Sequence, residues 1–138
     1  MPKLTLDELE TLRVQVFPEA KSFATLVSLA EHELVMRMPF RKEMTRAGGT
    51  ISGPALMALA DSVVYWLVLA HAGPVIEAAT ANLDIAFLSR PDPADILATA
   101  RLLRLGRRLA VATVELRSDG RPDVVAHATV TYALPTRK

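Results

Sequence analysis

The chain has 138 residues, enough for one domain with a sizeable core, and its 16 Lys and Arg against 15 Asp and Glu leave a formal net charge of +1. That balance argues against a nucleic-acid binder, whose footprint is a strongly basic face. With no cysteine there is no disulfide, thiolate metal site or cysteine nucleophile, and His32, His71 and His127 lack close ligand spacing, so a metal site is not expected.

In chain order, the first eight residues contain no apolar core fit for a signal peptide, which points to a cytoplasmic protein. Thr5-Leu6-Asp7-Glu8 has the form of a capping box, and Leu6, Leu9 and Leu12 follow at helical spacing, predicting a short amphipathic helix over 5–16 that ends before Pro18. Residues 24–38 mix β-branched and polar residues and stop at Pro39, which predicts one long strand. A charged loop over 40–49 runs into Gly48-Gly49-Thr50-Ile51-Ser52-Gly53-Pro54, a turn expected to expose backbone N–H groups where the next helix starts. Pro54 suits the first helical position, leaving Ser52 or Gly53 as the cap.

The helix after Pro54 is apolar nearly all round, which signals burial on most faces. Asp61 is its only formally charged side chain between Pro54 and Ala70. The run is shorter than the roughly 20 residues a bilayer requires and carries Asp61 near its centre, so no membrane span is expected. Gly73-Pro74 ends it. Four strand-like segments follow at 80–88, 96–105, 109–117 and 124–133, separated by Pro91-Asp92-Pro93, Gly106 and Asp119-Gly120-Arg121-Pro122.

This order predicts an α+β fold, one antiparallel sheet around one apolar helix, in a single domain over 1–138. Such a sheet keeps an exposed edge, and pairing with a second chain is expected. The apolar fraction of 51% and mean hydropathy of +0.26 fit extra burial at subunit interfaces.

An isolated carboxylate in an apolar helix costs free energy unless something pairs with it or uses it. Asp61 either bonds to an interfacial backbone group or serves chemistry, as general base on water or as nucleophile. The glycines before the helix are either hinges or donors that polarise a carbonyl. Gly53 and Asp61 are separated by about 12 Å of helix rise, so cooperation requires two antiparallel copies, one helix start facing the other's Asp61. Ser52 sits in no Gly-x-Ser-x-Gly elbow and reads as a cap. Tyr65 and Trp66 read either as core or interface aromatics or as the lining of an acyl pocket, and His71 as a partner of the helix's terminal carbonyls. The basic stretch from Arg101 to Arg108 is either a solvated hairpin turn or a phosphate clamp.

The run from Gly48 to Asp61 resembles the signature of hotdog-fold thioesterases of the phenylacetate-pathway type. Thr80 to Pro91 resembles that family's following strand, and Leu105-Gly106-Arg107-Arg108-Leu109-Ala110 its hairpin turn, so that the likeness spans 40–134. The resemblance implies a hotdog fold, a long helix wrapped by a five- or six-stranded antiparallel sheet, assembled as a homodimer or as a homotetramer built from two dimers. It implies a hydrolase for acyl-CoA thioesters, with the site at the dimer interface, no metal, and CoA present only as part of the substrate. By position, Asp61 corresponds to the catalytic carboxylate, Gly53 to the glycine whose N–H holds the thioester carbonyl, and Thr80 to a hydroxyl that orients the attacking water. Arg107, Arg108 and, behind them, Arg90 become candidates for CoA phosphate contact, with Arg46, Ser52 and Asn82 as further substrate-binding candidates. Ser52-Gly53-Pro54 stands where many relatives have His-Gly-Gly, and Arg46 where many have asparagine. Those departures motivate the alternative of a non-catalytic acyl-CoA or acyl-carrier binding protein on the same scaffold.

Overall fold

The structure, a computed structural model, describes residues 1–19 and 23–135. Helix α1 (Leu6–Val16) is followed by strands β1 (Thr25–Ala30) and β2 (Glu33–Met38), a 3-10 turn (Lys42–Met44) and helix α2 (Gly53–Ala72). Strands β3 (Ala79–Phe87), β4 (Ile96–Leu105), β5 (Leu109–Ser118) and β6 (Val124–Ala133) complete the chain. All six strands form one antiparallel sheet in the order β1-β2-β4-β5-β6-β3, and α2 packs across its inner face.

Residue size explains how closely the helix sits. The inward positions of the central strands alternate with outward ones, and many are small: Ala98 and Ala100 on β4, Ala110 and Ala112 on β5, Ala126 and Ala128 on β6, all buried. Small side chains there leave room for Leu56, Leu59, Val63 and Leu67 of α2, which interdigitate with them as close packing requires. The most apolar stretch of α2 is 72% buried within the protein, so its hydropathy is that of a core helix.

Both helices start as their sequences dictate. Thr5 Oγ1 accepts from the Glu8 N–H while Glu8 Oε1 accepts from the Thr5 N–H, a reciprocal capping box. Ser52 caps α2, its Oγ accepting from the Ala55 N–H at 3.3 Å, with Gly53 as first helical residue and Pro54 as second. Gly73, at φ +103°, closes that helix in a backbone region open mainly to glycine.

The single strand expected over 24–38 is two strands. The chain reverses at Glu31-His32, with no glycine, proline or asparagine to mark the turn. His32 adopts φ +65°, a left-handed conformation that costs a non-glycine residue roughly 1–2 kcal/mol. Tertiary bonds hold it there. Its N–H donates to His71 Nε2 at 2.9 Å, and its carbonyl accepts from the Leu102 N–H at 2.7 Å.

Candidate functional site

Asp61 faces a groove of about 610 Å³ between α2 and the segment that follows α1. Its walls carry Phe17 and Phe23 from that segment, Tyr65 and Trp66 from α2, and Tyr132 from β6. The rings meet edge to face: Phe17 lies 6.0 Å from both Tyr65 and Trp66, and Tyr65 lies 4.7 Å from Trp66. The result is an aromatic cleft with a carboxylate in its wall.

Two hydroxyls compensate that carboxylate. Thr80 Oγ1 donates to Asp61 Oδ1 at 2.7 Å, and the Tyr132 hydroxyl donates to the same oxygen at 2.7 Å while lying 3.1 Å from the Asp61 carbonyl. Asp61 thus finds two hydrogen-bond donors within its own chain. Burial drives the Tyr132 phenol far above its ordinary range, and the adjacent Asp61 carboxylate raises it further. It therefore stays protonated near neutral pH and acts as a donor.

A β-bulge aims Thr80. Along the β3–β6 ladder Phe87, Ile85 and Leu83 pair with Ala126, Ala128 and Val130 on the inner face, so unbroken alternation would set Ala81 opposite Tyr132. The register shifts between Asn82 and Thr80, and Thr80 takes that place instead. One extra residue in the strand turns a hydroxyl toward Asp61, as bulges beside functional sites often do.

The remaining sequence candidates are dispersed in the single chain. Gly53 lies at the start of α2, about 12 Å of helix rise from Asp61. Its N–H is nonetheless singled out. Pro54 has none, Ala55 donates to Ser52 Oγ and Leu56 to the Ser52 carbonyl, which leaves Gly53 as the first-turn donor without a partner among the described residues. A Cβ on Gly53 would lie 3.3 Å from the Phe87 ring, so close approach also favours glycine here. Gly48 and Gly49, by contrast, form the tip of a small hairpin at φ +97° and +81°, closed by the Arg46 N–H on the Thr50 carbonyl and the Thr45–Ile51 bridge. Their conformation serves that turn, and the expected array of N–H donors narrows to Gly53.

Arg46 is exposed on the same hairpin, and Ser52 is occupied as the cap. Asn82 pairs with Thr131, which sets it on the outer face of the sheet, away from Asp61. Arg90 is exposed beyond the end of β3. Arg107 and Arg108, in the β4–β5 turn, line a second cavity of about 610 Å³ with Lys3, His71, Val75 and Leu134. It lies at the C-terminal end of α2, opposite Gly53. The fold thus unites Asp61 with Thr80 and leaves the other candidates at a distance within one chain.

Tyr132 was not singled out from sequence. The available signal was its place in an alternating strand, on the face shared with Ala128 and Val130, where a buried phenol needs a hydrogen-bond partner. His71 does more than cap the helix. Its Nδ1–H donates to the Leu67 carbonyl at 3.0 Å while Nε2 accepts from the His32 N–H, a pattern only the neutral ring satisfies.

Known proteins carry the same architecture. The sequence profile of the thioesterase superfamily matches residues 48–125, more than half of the chain. A candidate thioesterase from a Silicibacter species is 40% identical in sequence, with a TM-score of 0.88 over 98% of this chain and 94% of that one. Thioesterase superfamily member 2 from Mus musculus is 26% identical, with a TM-score of 0.81 over 98% of this chain and 100% of its own. A candidate thioesterase from Ralstonia eutropha, described as related to phenylacetic acid degradation, is 25% identical, with a TM-score of 0.79 over 91% of this chain and 97% of its own.

Proposed function

Because the chain belongs to the thioesterase superfamily, whose fold is the hotdog, we propose that it hydrolyses acyl-CoA thioesters at the Asp61 groove. The observation that carries the reading is a carboxylate oriented by two hydroxyls in the wall of an aromatic cleft. In the general-base route, Asp61 takes a proton from water as the water oxygen bonds to the thioester carbon. Collapse of the tetrahedral adduct then breaks the C–S bond, and the departing sulfur takes the proton to release CoA as the free thiol. In the nucleophilic route an Asp61 oxygen bonds to the thioester carbon, the C–S bond breaks to expel CoA as thiolate, and water opens the resulting mixed anhydride, restoring Asp61 and giving up a proton to the thiolate. Label entering Asp61 during a single turnover in 18O-labelled water marks the nucleophilic route.

The developing oxyanion needs donors, and Gly53 supplies an N–H backed by the α2 dipole. Since Gly53 and its own Asp61 are far apart, the reading requires a second copy whose helix start faces this groove. The exposed edge of β3, with Phe87 and Leu88 both more than half exposed, supports such pairing into a homodimer or a dimer of dimers. Arg107 and Arg108 are suited to CoA phosphates by charge and geometry.

The test is thiol release from short, long and aromatic acyl-CoAs with wild-type protein and Asp61→Ala. Hydrolysis that disappears in the variant supports the reading. Saturable CoA-ester binding without thiol release from the wild type would instead identify a binding protein. A complex with a non-hydrolysable thioester analogue tests whether the carbonyl meets the Gly53 N–H.

A further inference from the structure

We propose that Tyr132 is a positioning residue for Asp61, its phenol and the Thr80 hydroxyl together occupying Oδ1 so that Oδ2 is the oxygen presented to the reaction. The inference rests on the hydrolase reading of the same groove and assigns a division of labour within the carboxylate.

Both donors converge on one oxygen, each at 2.7 Å, and Oδ2 has no hydrogen-bond partner among the described residues. An ionised carboxylate with one oxygen tied down is fixed in rotation, and its second oxygen keeps its lone pairs for a water or a carbonyl carbon. The two donors are not equivalent. Thr80 stands on an exposed edge strand and owes its aim to a bulge. Tyr132 is only 3% exposed, belongs to the inner face of β6 and packs 5.9 Å from the Tyr65 ring. Its hydroxyl also lies within reach of the Asp61 carbonyl, so it registers the side chain against its own helix backbone. Tyr132 is thus the rigid member of the pair. Held protonated by burial, it donates throughout the neutral range and cannot serve as the base.

Losing the phenol leaves Thr80 as the one hydroxyl on Oδ1 and loosens the orientation of the carboxylate. The other titratable groups lining the groove are Tyr65 on α2 and Glu19 after α1, and a substitution at 132 leaves both in place. Tyr132→Phe removes the hydroxyl and keeps the ring.

The experiment compares the 13C resonance of the Asp61 carboxyl at neutral pH in wild type and Tyr132→Phe, with kcat and KM for thiol release under the same conditions. Loss of the phenol donor is expected to shift the carboxyl resonance. At neutral pH kcat should fall about tenfold with KM nearly unchanged, the signature of lost orientation. Incorporating 3-fluorotyrosine at position 132 keeps the shape with a stronger donor, should shift the resonance while holding kcat within a few-fold of wild type, and serves if the Phe variant does not fold. A resonance that stays in place in a folded variant, or a shifted resonance with unchanged kcat in Tyr132→Phe, overturns the proposal. Should Asp61→Asn abolish turnover while the Tyr132 variants behave as wild type, only this inference falls. Should Asp61→Asn hydrolyse normally, the hydrolase reading falls, and the carboxyl resonance still decides whether Tyr132 holds the carboxylate.

Discussion

His71 should make the stability of this protein fall on mild acidification, through one identifiable contact. Its Nε2 accepts the N–H of His32, the residue held at φ +65° in the β1–β2 turn, while Nδ1–H is committed to Leu67. Protonating Nε2 would set N–H against N–H and release the turn. Burial pushes the His71 pKa below its usual 6.5, and the Leu67 bond only partly opposes that. With the folded value below the unfolded one, both states are neutral above pH 6.5 and the contact contributes fully. As pH falls below 6.5 the unfolded chain takes up the proton first, and stability declines by up to about 1.4 kcal/mol per pH unit until the folded value is reached. His71→Gln offers a donor and an acceptor without titrating. Urea unfolding followed by circular dichroism at pH 7.5 and 5.5 should show the stability difference between wild type and variant narrowing at the lower pH, by no more than about 1.4 kcal/mol. Parallel pH profiles for the two proteins would refute the reasoning.

Two further substitutions probe the core and the basic hairpin. Leu59→Ala, at a fully buried position on α2, should cost about 2–5 kcal/mol in urea unfolding, since the alanine-lined sheet beneath it cannot collapse into the gap. Replacing Arg107 and Arg108 together by alanine should raise KM for acyl-CoA about tenfold with kcat unchanged, from lost charge-assisted contacts. The same pair should leave KM for pantetheine thioesters, which lack the nucleotide phosphates, unaffected.

The parts of the fold that were legible share one property: their signals are local. The Thr5–Glu8 box, the Ser52 cap and the glycine and proline punctuation from Gly73 to Pro122 bracket elements whose observed limits fall within one or two residues of those expected. The β1–β2 turn was illegible because nothing at Glu31-His32 favours a reversal. The stabilising contacts come from His71 and Leu102, 39 and 70 residues away. The site divides in the same way. Asp61 stood out as a charge in an apolar helix, and the family resemblance drew attention to Thr80. Its aim depends on a bulge that alternation alone does not reveal, and Tyr132 shows only as a polar atom on a buried strand face. Gly48 and Gly49 carried a glycine signal that belonged to a hairpin tip rather than to the helix start.

The most direct measurement is the rate of CoA thiol release by Asp61→Asn, which keeps the shape of the carboxylate and removes its charge. Removing a positioned base should lower kcat by about 10²–10⁴-fold while the urea midpoint stays near that of wild type. An Asp61→Asn protein that releases thiol within a few-fold of the wild-type rate would contradict the assignment of this carboxylate to the reaction.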